Sequence, residues 1–465
     1  MKITRFYAEN VHGYLPIDIS FNDELNFLTG LNGSGKTSAL RLIMALLTPN
    51  LIEIANINFS YASLSILNDS VELVLQATKS IDGLVLQITG VDESLIMSRT
   101  ELDIVLDSKL KEEPLSKTRE FAQSNATYQM ILSLSTPMFL GLDRRFLVPG
   151  VPRDESDDVR RREYMARRLW PEEAGLKGVS PPVSLVEVNY LVLTSVQEIR
   201  AEQEKLDEQL RNDFFKKAFE YNPSDILGRA QPPSRNELEK YRGQFAHINS
   251  AGELKVPVPE IQEALENFFG KMNNLLDLLE KGDHEQSAGG KFKKVSAATK
   301  TTISKEYIEW IVNRPQADRV LNHLSMLNEY IERRNSLRSP IDSFLKLVNT
   351  FLVQTKKSVV VGVTGQLFVS INGDAVLRPI SSLSSGERQL LIMLAHLSLN
   401  PNLKDSGVFI VDEPELSLHI DWQEKFVDAI CIANPKVQFI LATHSPAIIL
   451  DLDSACVSMD GKIDA

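Results

Sequence analysis

Three short apolar runs stand out, Leu25–Thr29 (LNFLT), residues 407–411 (GVFIV) and residues 437–443 (VQFILAT). They are continuously apolar instead of alternating, which is the pattern of strands buried on both faces of a parallel sheet. Residues 37–47 (TSALRLIMALL) and 390–399 (LLIMLAHLSL) read as apolar helices, each entered through a turn of small residues. Residues 358–371 (SVVVGVTGQLFVSI) alternate, with Gly362 and Gly365 near the bend, and predict a hairpin. Residues 138–148 (MFLGLDRRFLV) read as one further strand.

The middle of the chain follows helical periods. Val192, Val196, Ile199, Gln203, Leu206, Leu210 and Asp213 step by four and three. Val320, Leu324, Leu327, Ile331 and Arg334 repeat the step, and Ile341, Leu345 and Val348 resume it beyond Pro340. Two readings fit: the outgoing and returning arms of a short antiparallel hairpin of about three or four heptads, or an amphipathic helix packed on a helical subdomain. Residues 259–281 predict another helix. Residues 282–305 read as a Gly/Ser/Lys loop bearing Lys291, Lys293, Lys294, Lys300 and Lys305.

Composition narrows the class. At 465 residues the chain has room for roughly three folding units. With 43% hydrophobic and 24% charged residues it can bury a core, which excludes disordered and collagen-like chains. The net charge of −12 argues against a nucleic-acid coat over the whole surface. The lysine loop, and Arg160, Arg161 and Arg162, stay open as local contacts or as solvated charge. Cys431 and Cys456 form no CxxC pair, so no zinc knuckle or disulfide framework is indicated. The first residues lack a signal-peptide core, and no window of about 18 apolar residues offers a membrane span, so a soluble cytoplasmic protein is expected.

Chemistry sits at both ends. GLNGSGKT at residues 30–37 matches GxxxxGK[ST] between a strand and a helix, the setting of a phosphate-binding loop. At ordinary glycine and lysine usage, chance supplies roughly 0.02 such matches in a chain of this size. Asn32, Gly33, Ser34, Gly35, Lys36, Thr37 and Ser38 are the candidate nucleotide contacts. Glycines turn successive amides toward a phosphate, Lys36 adds a point charge and Thr37 a hydroxyl for Mg²⁺. Asp412, at the end of GVFIV, is the candidate metal carboxylate, and Glu413 would polarise water. Ser384, Ser385, Gly386 and Glu387 open a second helix with another anion-binding turn. Two such turns beside one set of hydrolytic residues make sense if Ser384 and Gly386 reach a nucleotide held by a second copy. His444 ends the third strand run and suits a γ-phosphate sensor.

The set GLNGSGKTS, LSSGERQ, FIVDEPE and ATHS resembles the ATP-binding-cassette ATPases of the SMC, RecF and OLD branch. DEPELSLH and the short LSSGE resemble the defence-associated members, the PtuA-type ATPase of Septu and related retron systems. The resemblance covers residues 1–150 and 350–465. It implies an α/β fold: a P-loop head with a mixed sheet flanked by helices, N- and C-terminal segments together, and a mainly helical insertion. The implied division is 1–150, 151–350 and 351–465. It further implies ATP and Mg²⁺ as cofactors, an ATPase reaction, and a head-to-tail homodimer with the signature turn acting in trans and residues 415–419 crossing the interface. Lys36 and Thr37 would hold phosphate and Mg²⁺, with Glu413 and His444 catalytic. A separate HNH-type, PtuB-like nuclease subunit would be the partner, because no nuclease motif occurs and about 20 residues follow His444. Contact with nucleic acid through the complex stays open. The family's Q-loop glutamine cannot be placed among Gln76, Gln87 and Gln129. The alternatives are a RecF/SMC-like DNA-repair clamp, a transporter motor, disfavoured by the absence of coupling membrane helices, and a pseudo-ATPase scaffold, disfavoured by the intact Lys36, Asp412 and Glu413.

Overall fold

The computed structural model describes residues 1–106, 124–134, 137–140, 146–147, 183–219, 297–403 and 407–459, with short helical pieces between 235 and 277. The chain opens with β1 (Lys2–Val11), β2 (Leu15–Ser20) and β3 (Leu25–Thr29), then α1 (Lys36–Leu47) and α2 (Leu51–Asn56). Next come β4 (Tyr61–Asn68), β5 (Val71–Lys79), β6 (Gly83–Ile88) and β7 (Leu95–Ser98). Helices α3 (Arg99–Leu106) and α4 (Ala126–Ser133) precede β8 (Met138–Leu140) and β9 (Phe146–Leu147). Long helices α5 (Val183–Phe219) and α6 (Ala297–Leu352) lead to β10 (Lys357–Val361), β11 (Leu367–Ile371) and β12 (Arg378–Pro379). The last elements are α7 (Ser385–Leu399), β13 (Gly407–Asp412), α8 (Ile420–Ala433), β14 (Val437–Ala442), α9 (Pro446–Ile449) and β15 (Cys456–Ser458).

Both ends of the chain meet in one sheet. Its order is β15-β3-β14-β13-β8-β9, parallel except for the β8–β9 pair. Alternate residues of its strands enter two different cores. Leu28, Val408, Ile410, Ile440 and Ala442 pack with α1, α2 and the antiparallel sheet β2-β1-β4-β5-β6-β7. Phe27, Phe409, Val411, Phe439 and Leu441 pack with α7, α8 and the ends of α5 and α6. Burial on both faces is why these strands read as unbroken apolar runs. The buried amide of Gln438 stitches the sheets together, accepting the Ile3 amide at 2.7 Å and donating to the Ile3 carbonyl at 2.8 Å. This is the α/β head with mixed sheet that the motifs imply.

Several sequence expectations need correction. Residues 138–148 are not one strand: β8 and β9 pair antiparallel, because Gly141, Asp143, Arg144 and Arg145 interrupt the apolar run. Lys300 and Lys305 belong to α6, not to a loop. Residues 282–296 and the run Arg160, Arg161 and Arg162 lie outside the described residues. The helices are also no stub, at 37 residues for α5 and 56 for α6, which runs through Pro315 and Pro340.

The compact units are Met1–Gln197 with Pro340–Ala465, and Glu198–Ser339. These limits differ from 150 and 350 because Leu185, Val188, Val192, Phe344, Val348 and Phe351 are buried in the head core. A buried amide, Asn189, and a half-buried one, Asn349, hold the same helix ends. Asn189 accepts the Leu367 amide at 3.0 Å, and Asn349 accepts the Val359 amide at 2.7 Å. Within the second unit, Tyr330 donates to Asp207 at 2.5 Å and His323 stacks on Phe214. Partners descend along α6 as they ascend along α5, so the two helices pair antiparallel there. The hairpin reading of the stripe holds for this stretch.

Candidate nucleotide site

The loop between β3 and α1 has the backbone a phosphate cradle needs. Gly33 and Gly35 have φ of 88° and 91°, in the left-handed region that glycine enters without the clash a Cβ brings. A Cβ on Gly35 would also lie 2.4 Å from Leu15 Cδ2. Gly35 caps α1 without a side chain, and the first turn of α1 holds no acidic residue. Its amides and positive dipole end therefore remain available to an anion. Lys36 is buried, and its ammonium donates to the Gly30 carbonyl at 2.9 Å and the Leu31 carbonyl at 3.1 Å, with Ser34 Oγ 3.5 Å away. Asn32 and Gly33 are exposed, whereas Ser34, Gly35, Thr37 and Ser38 are half-buried. Ser38 Oγ lies 2.7 Å from His12 Nε2, a neighbour that sequence reasoning missed.

Asp412 comes to this loop from the other end of the chain. Burial is the main cause pushing its carboxyl above the ordinary aspartate value. A hydrogen bond from the Thr37 hydroxyl opposes that rise, Glu413 adds to it, Lys36 opposes it and Glu415 adds to it. Asp412 is 4% exposed, and its Oδ2 receives no hydrogen bond. Glu413 follows at φ 50°, ψ 60°, a left-handed conformation that costs a non-glycine residue roughly 1–2 kcal/mol. Its amide donates to the Ala442 carbonyl at 2.9 Å, extending the β13–β14 ladder by one bond as the chain turns.

Strand β14 lies between β3 and β13, so His444 leaves the sheet between the two loops. His444 is exposed and lines a cavity of about 300 Å³ with Thr29, Gly30 and Asp453 among others. Its backbone is held by Glu415. Oε1 accepts the His444 amide at 2.7 Å, and Oε2 accepts the Thr443 hydroxyl at 2.9 Å. The resemblance puts residues 415–419 on a partner-facing segment, yet the Glu415 side chain is engaged within its own chain. Leu416 and Ile420 beside it are exposed.

The signature turn is built by a capping box. Ser384 Oγ accepts the Glu387 amide at 3.3 Å, and Glu387 Oε2 accepts the Ser384 amide at 2.7 Å. Lys357 donates to both Glu387 oxygens, at 2.8 and 3.1 Å, and Thr355 donates to Oε1 at 2.9 Å. Burial opposes this charge, but the bonds from Lys357, Ser384 and Thr355 outweigh it and hold the carboxyl below its usual range. Glu387 is thus engaged in its own chain, whereas Ser384 and Ser385 are exposed and Gly386 is buried. Of the Q-loop candidates, Gln76 and Gln87 face each other across β5 and β6, and Gln129 is exposed on α4.

Cys431 and Cys456 are both free. Among the described residues no helix is long and apolar enough to cross a membrane, and no cluster of three His, Cys, Asp or Glu marks a metal site.

Over 229 residues the chain is 24% identical to the Retron Vc95 probable ATPase of Vibrio cholerae serotype O1 biovar El Tor, covering 45% of this chain and 43% of that one. It is 33% identical over 84 residues to the Retron Ec83 probable ATPase of Escherichia coli, 16% of each chain. The chain therefore spans less than half the length of these curated relatives. An Smc head domain with an extended coiled coil, bound to the C-terminal domain of ScpA, from Pyrococcus furiosus, superposes with TM-score 0.37 at 12% identity, covering 98% of this chain and 93% of that one. The sequence profile of the AAA ATPase domain matches residues 1–449, and the chain belongs to that family.

Proposed function

We propose that the chain binds and hydrolyses ATP with Mg²⁺ in a pocket built by residues 30–38 and 412–413. The observation that carries this reading is the Asp412 carboxyl, buried, bonded by Thr37 and with one oxygen receiving no hydrogen bond, within electrostatic reach of Lys36. A carboxylate and a hydroxyl are the hard oxygen donors that Mg²⁺ prefers, so the residues fit the ion. Asp412 and Thr37 would hold it, and it would supply charge neutralisation at the phosphates. The α1 amides and Lys36 bind the β- and γ-phosphates once Lys36 leaves the Gly30 and Leu31 carbonyls. Glu413 orients the attacking water, and the His444 imidazole contacts the γ-phosphate.

Ser384, Ser385 and Gly386, exposed or at the start of α7, complete the site of a second copy in a head-to-tail dimer. Glu387 shapes that turn from within. The likeness to the retron ATPases supports a role in an anti-phage defence complex of retron or Septu type, with an HNH-type nuclease as a separate subunit whose action ATP turnover controls. The 37- and 56-residue helices favour a second reading, a RecF/SMC-like clamp on DNA. DNA affinity falling steeply with salt, without any nuclease partner, would select it.

The test is Glu413→Gln. This variant is expected to bind ATP, fail to turn it over and accumulate a dimer in light-scattering chromatography. Hydrolysis at the parent rate would remove Glu413 from its role and the proposed mechanism with it.

A further inference from the structure

Beyond the phosphate loop and the Asp412–Glu413 pair, Glu415 has an unusually specific set of partners. Both of its oxygens bind the end of β14, one through the Thr443 hydroxyl and the other through the His444 amide. Thr443 Oγ1 accepts the Ser445 amide at 3.0 Å, and Ser445 Oγ donates to Gln423 Oε1 at 2.6 Å. Gln423 closes the ring, donating to the Leu418 carbonyl at 2.9 Å and the Glu415 carbonyl at 3.4 Å. Residues 443, 444 and 445 are thus each tied to this ring. Thr443 is 1% exposed while the His444 ring is exposed, so the ring's position is governed from its backbone.

We propose that Glu415 is a positioning residue for ATP hydrolysis: its carboxylate fixes the backbone at His444 and so aims the imidazole at the γ-phosphate. The inference rests on the reading of His444 as the γ-phosphate contact. Bonds to an ionised acceptor are shorter and stronger than neutral ones, and a sensor displaced by about 1 Å loses on the order of 100-fold in rate. Glu415→Ala removes both acceptors. Glu415→Gln keeps one for the His444 amide, and the Thr443 hydroxyl can turn to accept from the new amide group.

The experiment is a double-mutant cycle in the full chain, with steady-state hydrolysis and binding of a fluorescent ATP analogue measured for Glu415→Ala, Glu415→Gln, His444→Ala and Glu415→Ala/His444→Ala. Glu415→Ala is expected to lower kcat by about 100-fold while KM and analogue affinity stay within about threefold. Glu415→Gln keeps at least about a tenth of the parent rate. The double variant is no slower than His444→Ala within about twofold, because both changes remove one function. Should Glu415→Ala fail to melt cooperatively, Gln423→Ala replaces it, with a smaller loss and the same non-additivity. Equal losses from Glu415→Ala with and without His444 overturn the proposal, as does a raised KM at unchanged kcat. A slow His444→Ala beside a full-rate Glu415→Ala removes this proposal alone. A full-rate His444→Ala removes the sensor reading and this proposal together.

Discussion

Replacing Lys357 by Met strands the Glu387 carboxylate. That side chain is 2% exposed, and the Lys357 ammonium lies 2.8 Å from Oε2. The Ser384 amide and Thr355 hydroxyl remain as donors, but the countercharge is gone. Removing one partner of a buried ion pair costs about 3–5 kcal/mol when little else compensates the survivor. Two remaining donors, and a lysine already one-fifth exposed, bring the expectation to about 2–3 kcal/mol. Glu387→Gln loses charge and part of the capping box, about 1–2 kcal/mol. The double variant has no stranded charge, so its loss falls short of the sum by about 1–2 kcal/mol.

The pH dependence has a definite sign. The carboxyl's folded pKa lies below its ordinary value of 4.5. Its contribution is therefore complete above that value and is lost as pH falls through the folded pKa. The parent should lose this increment on acidification, and Glu387→Gln should not. The assay is urea unfolding followed by Trp422 fluorescence with Trp170 and Trp310 replaced by Phe, since Trp422 packs edge-on against Phe351 in the same core. A Lys357→Met chain within about 0.5 kcal/mol of its parent, or a coupling of that size or less, would refute the account.

Two further predictions concern the phosphate loop. Lys36→Ala should lower ATP-analogue affinity at least about tenfold, the scale of one charge-assisted contact; unchanged affinity in titration counts against the loop assignment. Gly35→Ala forces an alanine to φ 91° and presses its Cβ toward Leu15, so a stability loss of about 1–2 kcal/mol is expected together with weaker nucleotide binding. A melting temperature and affinity equal to the parent's would show that the loop tolerates a side chain there.

What the sequence disclosed and what it hid follow from range. Strands β3, β13 and β14 were legible because burial on both faces leaves one continuous apolar run. The glycine loop was legible because its chemistry is confined to eight consecutive positions. The capping role of Glu387 was in principle readable from Ser384 and a Glu three residues later, a spacing that marks a helix start. The length of α5 and α6 was not, because polar entries at Gln203 and Asp213 and two prolines break the stripe. A helix paired with one antiparallel neighbour needs only a narrow apolar seam. The contacts of Glu415 were hidden for a different reason. Its partners Thr443 and His444 lie 28 and 29 positions away. Gln438 reaches 435 positions back to Ile3, a pairing no local pattern encodes.

The placement of β3 bears on how the protein is made. Its two neighbours, β14 and β15, are synthesised hundreds of residues after it. The antiparallel strands β1, β2 and β4–β7 pair nearly in sequence and can assemble while the ribosome is still translating. The strand that leads into the glycine loop has no pairing neighbour in this sheet until residues 437–458 have emerged, so a polypeptide from a broken message carries the loop's sequence without the sheet that frames it.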